Sequence, residues 1–485
     1  METPTQQQDA TTSPAIDKLL NLLNARHSLA EDFTKYFQKD VKKSIDDYEL
    51  DCTDEELEII NADDRKRYEF KIRYIMSTHD SYMSSAFGMP LDLIIKNRGA
   101  MGEEKALAVE ATYEYLKDKL NLSDWTEDTA WWFILTGWTS GHALFKNESI
   151  QVPAVNPDTN EPLLDEQGEQ LTVTKYLYND PIIEVGDPMK EIFSPESKFS
   201  VDASKIPYMF REASMDIDEI EELYGKKVKA DAKIGNNSDD TDSIKKNDTD
   251  RATVHFYYGN LSKKVYEEAS KKDYAKGLED VNWSYSALFY CIYTSSHVLY
   301  MGKLDVMPSK FARWMKVPNK FFGFGLGKTL REIQSELKLT RGQQNRYKDL
   351  FAFAKMIVDE EQNVDEKNLR DPRENVIVST SGGAKPEYMT PPQMPNALMQ
   401  VEQSTREDGQ FISGITDYSQ GDSNTINTAT GQTIRSRESA KKVEHAKTVF
   451  YSFYRAFVIH LLKLCAENWE ETKIVEIMDG NGDTV

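Results

Sequence analysis

Apolar residues recur at helical spacing along much of this chain. From Ala15 to about Tyr48 they fall at Ile16, Leu19, Leu20, Leu23, Leu29, Phe33, Phe37 and Val41, the three-four step of one helix face. The pattern predicts further helices over Asp54–Ser85, Gly102–Asn121, Asp124–Trp138, Ala397–Ile415 and Gln432–Glu471. The most demanding stretch is Lys320–Asp359, where a Gly/Phe run is followed by about thirty residues without proline. Leu326, Leu330, Ile333, Leu337, Thr340, Gln344, Tyr347, Phe351, Ala354 and Val358 form its seam. At 1.5 Å per residue such a helix is roughly 45 Å long, and it must pack lengthwise against another long helix.

Between the helices, β-branched and aromatic runs predict strands. They are 89–99, GHALFK, 170–185, ATVHFYYGN, YSALFYCIY, HVLYMGK and ENVIVST, with short strands between 187 and 213. A helix is expected from near Ser214, whose hydroxyl precedes Asp216 and Asp218 as an N-terminal cap. Residues 1–14 read as a disordered arm, 226–250 as a mobile polar loop, and the proline-rich segment after Pro153 as a loop or hairpin tip. SGGAKPEYMTPPQMP and DYSQGDSNTINTATG read as two further loops. The chain ends in a strand and an Asn-Gly turn with no return strand, so a shortened C-terminus is expected. The fold class is α+β and helix-rich.

Composition narrows the partners. The 485 residues suffice for two to four domains, and 39% apolar with 11% aromatic residues argues against wholesale disorder. The formal charge of −22 excludes an ordinary basic nucleic-acid coat. Against that background, Gly327–Ile357 carries seven Lys/Arg and three Asp/Glu. A second stripe on the long helix, Gln334, Lys338, Arg341, Asn345, Lys348, Ala352 and Lys355, holds four cations and no anion. It is either a solvated face or one turned toward a polyanion. Cys52, Cys291 and Cys465 are far apart, consistent with a reducing compartment, with neither a disulfide framework nor a zinc site. WWFIL and SALFYCIY are too short to span a bilayer, and no membrane partner is expected.

No convincing catalytic constellation emerges. GFGLGKT at 323–329 imitates a phosphate loop, but Walker spacing needs glycine where Phe322 stands, so a flexible lead into the helix is the plainer reading. Asp479, Asn481 and Asp483 lack the glycine and glutamate of a calcium loop. The seven histidines, at 27, 79, 142, 255, 297, 445 and 460, show no metal-ligand spacing and are expected to be isolated; no metal or cofactor is expected.

Order and local motifs together resemble the portal proteins of tailed bacteriophages, the short-tailed type in particular. The likeness is carried by Arg73–Ile75 through Met89–Ile95, by Ile182–Pro188 with Phe199–Asp202 and Glu219–Gly225, by Gly323–Gly325 with Gln334, Gln344 and Asn345, and by Ser413–Ile415 with Thr428–Gly431. The resemblance implies a non-enzymatic ring, usually of twelve subunits, at one capsid vertex of the virion, assembled in the host cytoplasm. Double-stranded DNA passes through its channel without sequence reading. The major capsid protein surrounds it, the large terminase subunit docks and is later replaced by a tail adaptor. It also implies a wing (15–210), a first stem helix (211–225), a clip (226–320), a second stem helix (321–358), a C-terminal wing part (359–431) with a tunnel loop at about 380–395, and a crown helix (432–485). Lys338, Arg341, Asn345, Lys348 and Lys355, with Lys385 on the tunnel loop, are then the candidate channel lining, unless some of these cations pair with acids of the adjacent subunit. A P-loop enzyme and another virion component, an adaptor or scaffold, remain the alternatives.

Overall fold

The N-terminal periodicity produces one helix, α1, over Pro14–Glu49. In this computed structural model the described residues are 14–49, 72–88, 91–96, 103–153, 172–199, 206–230, 251–261, 288–304, 306–318, 320–352, 356–357, 363–364, 380–381, 387–388, 396–415 and 429–469. They divide into two units, the first comprising 1–45, 79–328 and 440–485, the second 46–78 and 329–439.

Helix α2 (Tyr74–Phe87) starts in the second unit and belongs to the first from His79 on; in the first unit α3 (Glu103–Lys119) and α4 (Leu122–Thr136) follow and precede strand β1 (Trp138–Pro153). β1 pairs antiparallel with β2 (Thr172–Val185) and with β8 (Ser309–Arg313). A second, five-stranded antiparallel sheet runs β3 (Glu191–Phe193), β4 (Tyr208–Asp216), β5 (Arg251–Asn260), β6 (Leu288–Tyr293), β7 (Val298–Leu304). Leu19, Leu20, Leu23 and Ala30 of α1 pack against Phe210, Tyr257, Phe289 and Tyr293 of that sheet. A second cluster surrounds the fully buried Trp138, whose ring meets Phe193, Phe311, Phe321 and Phe322 at centroid distances of 4.9 to 5.5 Å. The final helix, α8 (Ala429–Asn468), stacks Phe457 on Trp125 at 4.1 Å and sets Phe450 edge-on to Phe133. Its segment Lys441–Asn468 is long and apolar enough to cross a membrane, the one such helix among the described residues. Its apolar face is nevertheless spent on Trp125 and Phe133 within this unit.

Several expectations change. Residues 91–96 form no strand. Asp92 Oδ1 instead accepts from the Leu93 amide, Tyr113 and Lys117, and a side chain that takes its neighbour's amide competes with a strand ladder. Ser214 is not a cap: it lies in β4 opposite Thr253, and helix α5 covers only Ile217–Tyr224. The expected stem helix over 211–225 is therefore strand up to Asp216, and the Asp216 carboxylate takes Arg251 Nε at 2.7 Å rather than a backbone amide. β8 was not expected from the sequence; it is a five-residue edge strand held by its pairing with β1. α8 starts at Ala429, inside the expected loop.

The long helix, α6, spans Leu326–Ala352, about 40 Å, rather than 321–358, and belongs to the second unit from Thr329 on. Residues 321–325 are non-helical and Met356–Ile357 forms a short strand, β9. The pairs β10 (Asn363–Val364) with β11 (Thr380–Ser381), and β12 (Glu387–Tyr388) with β9, follow, and α7 spans Asn396–Ser413. Residues 1–13 of the expected arm, 54–71 of the expected helix, 154–171, 231–250 and 417–428 of the expected loops, 374–379 of the expected strand, and the C-terminal turn lie outside the described residues.

Candidate functional site

The Gly/Phe run that precedes α6 is a close-packing device. A Cβ on Gly325 would stand 2.5 Å from Gly137 N and from Ile134 O, and one on Gly323 would stand 2.7 Å from Gly137 O. Gly137 is the C-cap of α4 with φ +76°, a left-handed conformation natural to glycine. Phe324 N bonds to Met315 O at 3.3 Å and Trp314 N to Gly137 O at 2.9 Å, so the run is stitched to its surroundings. Lys328 Nζ is hydrogen-bonded to Asp40 Oδ2. The expectation of a flexible lead is corrected, because the backbone that a phosphate would need lies against protein.

Beyond Thr329, α6 uses polar side chains to organise the second unit. Gln334 is buried; its Oε1 accepts from the Ile75 amide at 3.0 Å and its Nε2 donates to Asp47 O at 2.7 Å. One amide thus satisfies an orphan N–H at the start of α2 and a carbonyl near the end of α1. Arg331 Nε meets Asp47 Oδ2 at 2.5 Å. About two to three α6 turns further on, Glu402 of α7 receives Arg341 Nη2 at 2.5 Å, Gln344 Nε2 at 2.9 Å and Arg406 Nη2 at 3.2 Å. Burial raises the Glu402 pKa, but the Gln344 bond and the two guanidinium charges outweigh it and hold the carboxyl below its usual value.

Two histidine clusters lie among the described residues of the first unit. His142 of β1, Ser309 of β8 and Glu191 of β3 form a fully buried chain. Nδ1 meets Ser309 Oγ at 2.5 Å and Nε2 bonds to Glu191 Oε1, which also accepts from Ser140 Oγ at 2.5 Å. Burial lowers the His142 pKa, with the Glu191 charge opposing it. The order hydroxyl, imidazole, carboxylate resembles a nucleophilic triad, yet every member is sealed from solvent; its role is to join the two sheets. The second cluster is half-buried. His27 Nε2 lies 2.8 Å and His255 Nδ1 3.3 Å from Glu212 Oε1. Burial raises the Glu212 pKa, but the flanking imidazoles prevail and bring it to about 2. His79 meets Trp131 O at 3.2 Å through Nε2 and Asp80 Oδ1 at 3.5 Å through Nδ1, and the sequence expectation of isolated histidines fails for His27 and His255.

The sequence matches the phage SU10 portal protein family over residues 142–483, well over half of the chain. The chain belongs to this family. No curated protein matches it. The portal resemblance read from the sequence is thereby borne out.

In this portal chain the six candidate lining residues do not share one environment. Lys338 is buried at 3% exposure, Arg341 is held by Glu402, Asn345 is half-buried and Lys348 is exposed. Lys355 and Lys385 lie outside the described residues. Sequence reasoning missed Glu402, because α7 turns opposite to its hydropathy. Glu402, Thr405, Gly409 and Ser413 are buried, whereas the apolar Val401, Phe411 and Ile412 are exposed, Phe411 by 80%. The spacing 402, 405, 409, 413 was a helical stripe in the sequence, but of polar and small residues.

Proposed function

We propose that this protein assembles into a ring, most simply of twelve copies, at one vertex of a short-tailed phage capsid, and that double-stranded DNA is packaged and ejected through its channel. The family match over residues 142–483 carries this reading. The ring contacts the major capsid protein, receives the large terminase subunit during packaging, and then holds a tail adaptor. The terminase supplies ATP hydrolysis; the packed glycines at 323–327 support a non-enzymatic role for this chain.

Two features support self-assembly and a channel. Val401, Phe411 and Ile412 leave apolar surface uncovered on α7, which a neighbouring copy would bury. A charge of −22 per chain, on the order of −250 per ring of twelve, repels DNA broadly and limits sticking. Within that field Lys348, with Lys355 and Lys385, offers weak phosphate contacts that read no sequence. Asn345 adds a neutral polar contact, while Lys338 and Arg341 act from behind by fixing the rotation of α6. The first stem helix reduces to Ile217–Tyr224 and the second to Leu326–Ala352. The clip corresponds to 226–320, the wing to 15–210 and 359–431 with the tunnel loop near 380–395, and the crown to 432–485.

Negative-stain electron microscopy of the purified protein tests the proposal. The expected images are rings with a stain-filled central hole wide enough for a duplex. A monodisperse monomer at all concentrations overturns it.

A further inference from the structure

Glu212 and His255 face each other across the β4–β5 pair, so their side chains leave the same side of the sheet. α1 lies on that side and supplies His27. The ligand atoms His27 Nε2, Glu212 Oε1 and His255 Nδ1 all lie within 4.8 Å of one another. Aromatic rings fix both imidazoles: Phe210 stands edge-on to His27 at 5.1 Å, and Tyr293 stacks on His255 at 5.1 Å.

Two buried polar atoms at this place make no hydrogen bond. One is His255 Nδ1, which is close to the Glu212 oxygen without the geometry of a bond; the other is the hydroxyl of the fully buried Tyr293. A buried imidazole nitrogen without a hydrogen bond is a costly arrangement, and a cation set between its lone pair and the Glu212 carboxylate resolves it. Two imidazole nitrogens and one carboxylate oxygen are a zinc-type donor set that leaves a fourth position for water. The nitrogen donors disfavour calcium and magnesium, which take oxygen.

We propose that His27, Glu212 and His255 bind one divalent transition-metal ion of the zinc, nickel or copper class, and that this ion clamps α1 to the five-stranded sheet. Binding requires both histidines neutral, so it displaces any proton on the coordinating nitrogens. The ion holds together segments far apart in sequence, and its role is structural.

The full chain, stripped of metal with a chelator and desalted, is titrated with zinc chloride by calorimetry, and with cobalt chloride while the visible spectrum is followed. The expected result is one zinc per chain, a thermal midpoint that rises with zinc and falls back with chelator, and cobalt ligand-field bands of low coordination number. Glu212→Gln and His27→Gln, which keep size and hydrogen-bonding capacity, should each weaken zinc binding by about tenfold or more. His255→Asn serves as the third variant, and far-UV circular dichroism verifies that each is folded. Absence of zinc binding at micromolar protein overturns the proposal. So does zinc binding of equal strength in the wild type and the folded variants, because the ion then sits elsewhere.

Discussion

Arg341 on α6 and Glu402 on α7 are joined at 2.5 Å, with the carboxylate largely buried and the guanidinium only a third exposed. Glu402 is also the acceptor for Gln344 and Arg406, so its loss strands three donors at once. Glu402→Ala is expected to cost about 3 kcal/mol in urea denaturation, more than Arg406→Ala, which removes one peripheral partner.

The same carboxylate makes the stability pH-dependent in a defined direction. Its folded pKa lies below the ordinary value, so its stabilisation is fully present above the unfolded pKa of about 4.3 and is lost as pH falls through the folded one. The gap in unfolding free energy between the wild type and Glu402→Gln should therefore be full at neutral pH and shrink as pH falls below the unfolded pKa of about 4.3. A gap that is constant with pH would mean that the carboxylate charge contributes nothing.

The glycine run offers a steric test. Gly325→Ala places a methyl group against the Gly137 and Ile134 backbone, where no side chain can give way, and is expected to cost about 3 kcal/mol or to prevent folding. Gly225→Ala is the control. It has φ +65° but nothing within 4 Å of the new Cβ, so only the left-handed backbone penalty of about 1 kcal/mol applies. Equal effects at the two positions would refute the close-packing account.

Gln334→Leu keeps volume but leaves the Ile75 N–H and the Asp47 carbonyl without their partner. The expected cost is about 2 kcal/mol or more. Hydrogen exchange reads the effect locally: the Ile75 amide should lose protection before the core amides of β5 and β6.

Phe411→Glu adds a charge at a position 80% exposed in the single chain, so the far-UV spectrum and thermal midpoint of dissociated subunits should change little. If α7 faces a neighbouring copy, the same substitution buries an unpaired carboxylate at each interface and abolishes rings in electron micrographs. Rings that persist would place the subunit contact elsewhere.

Much of the fold was legible because long amphipathic patterns and strands rich in β-branched and aromatic residues name their own elements. α1, α3, α4 and the three strands β5, β6 and β7 follow the sequence within a few residues. What failed has physical causes. Ser214 looked like a cap because capping chemistry is local, whereas pairing with Thr253 across β4 and β5 is not. α7 follows the sequence as a helix, but it buries its polar and small residues rather than its apolar ones. Hydropathy reports which residues avoid water, not whether the cover comes from the same chain. His27 and His255 carry no spacing signal, since strand register and helix docking bring them together. The basic stripe on α6 was real as a pattern, but two of its cations are absorbed by the chain itself, through burial at Lys338 and ion pairing at Arg341.

Gln334 has a consequence for chain connectivity. α1 ends at Glu49 and α2 begins at Tyr74, yet both ends are fastened to one amide on α6. The polypeptide between them is thus bypassed by a noncovalent splint. Cleavage within that segment would leave this fastening of the two helix ends intact.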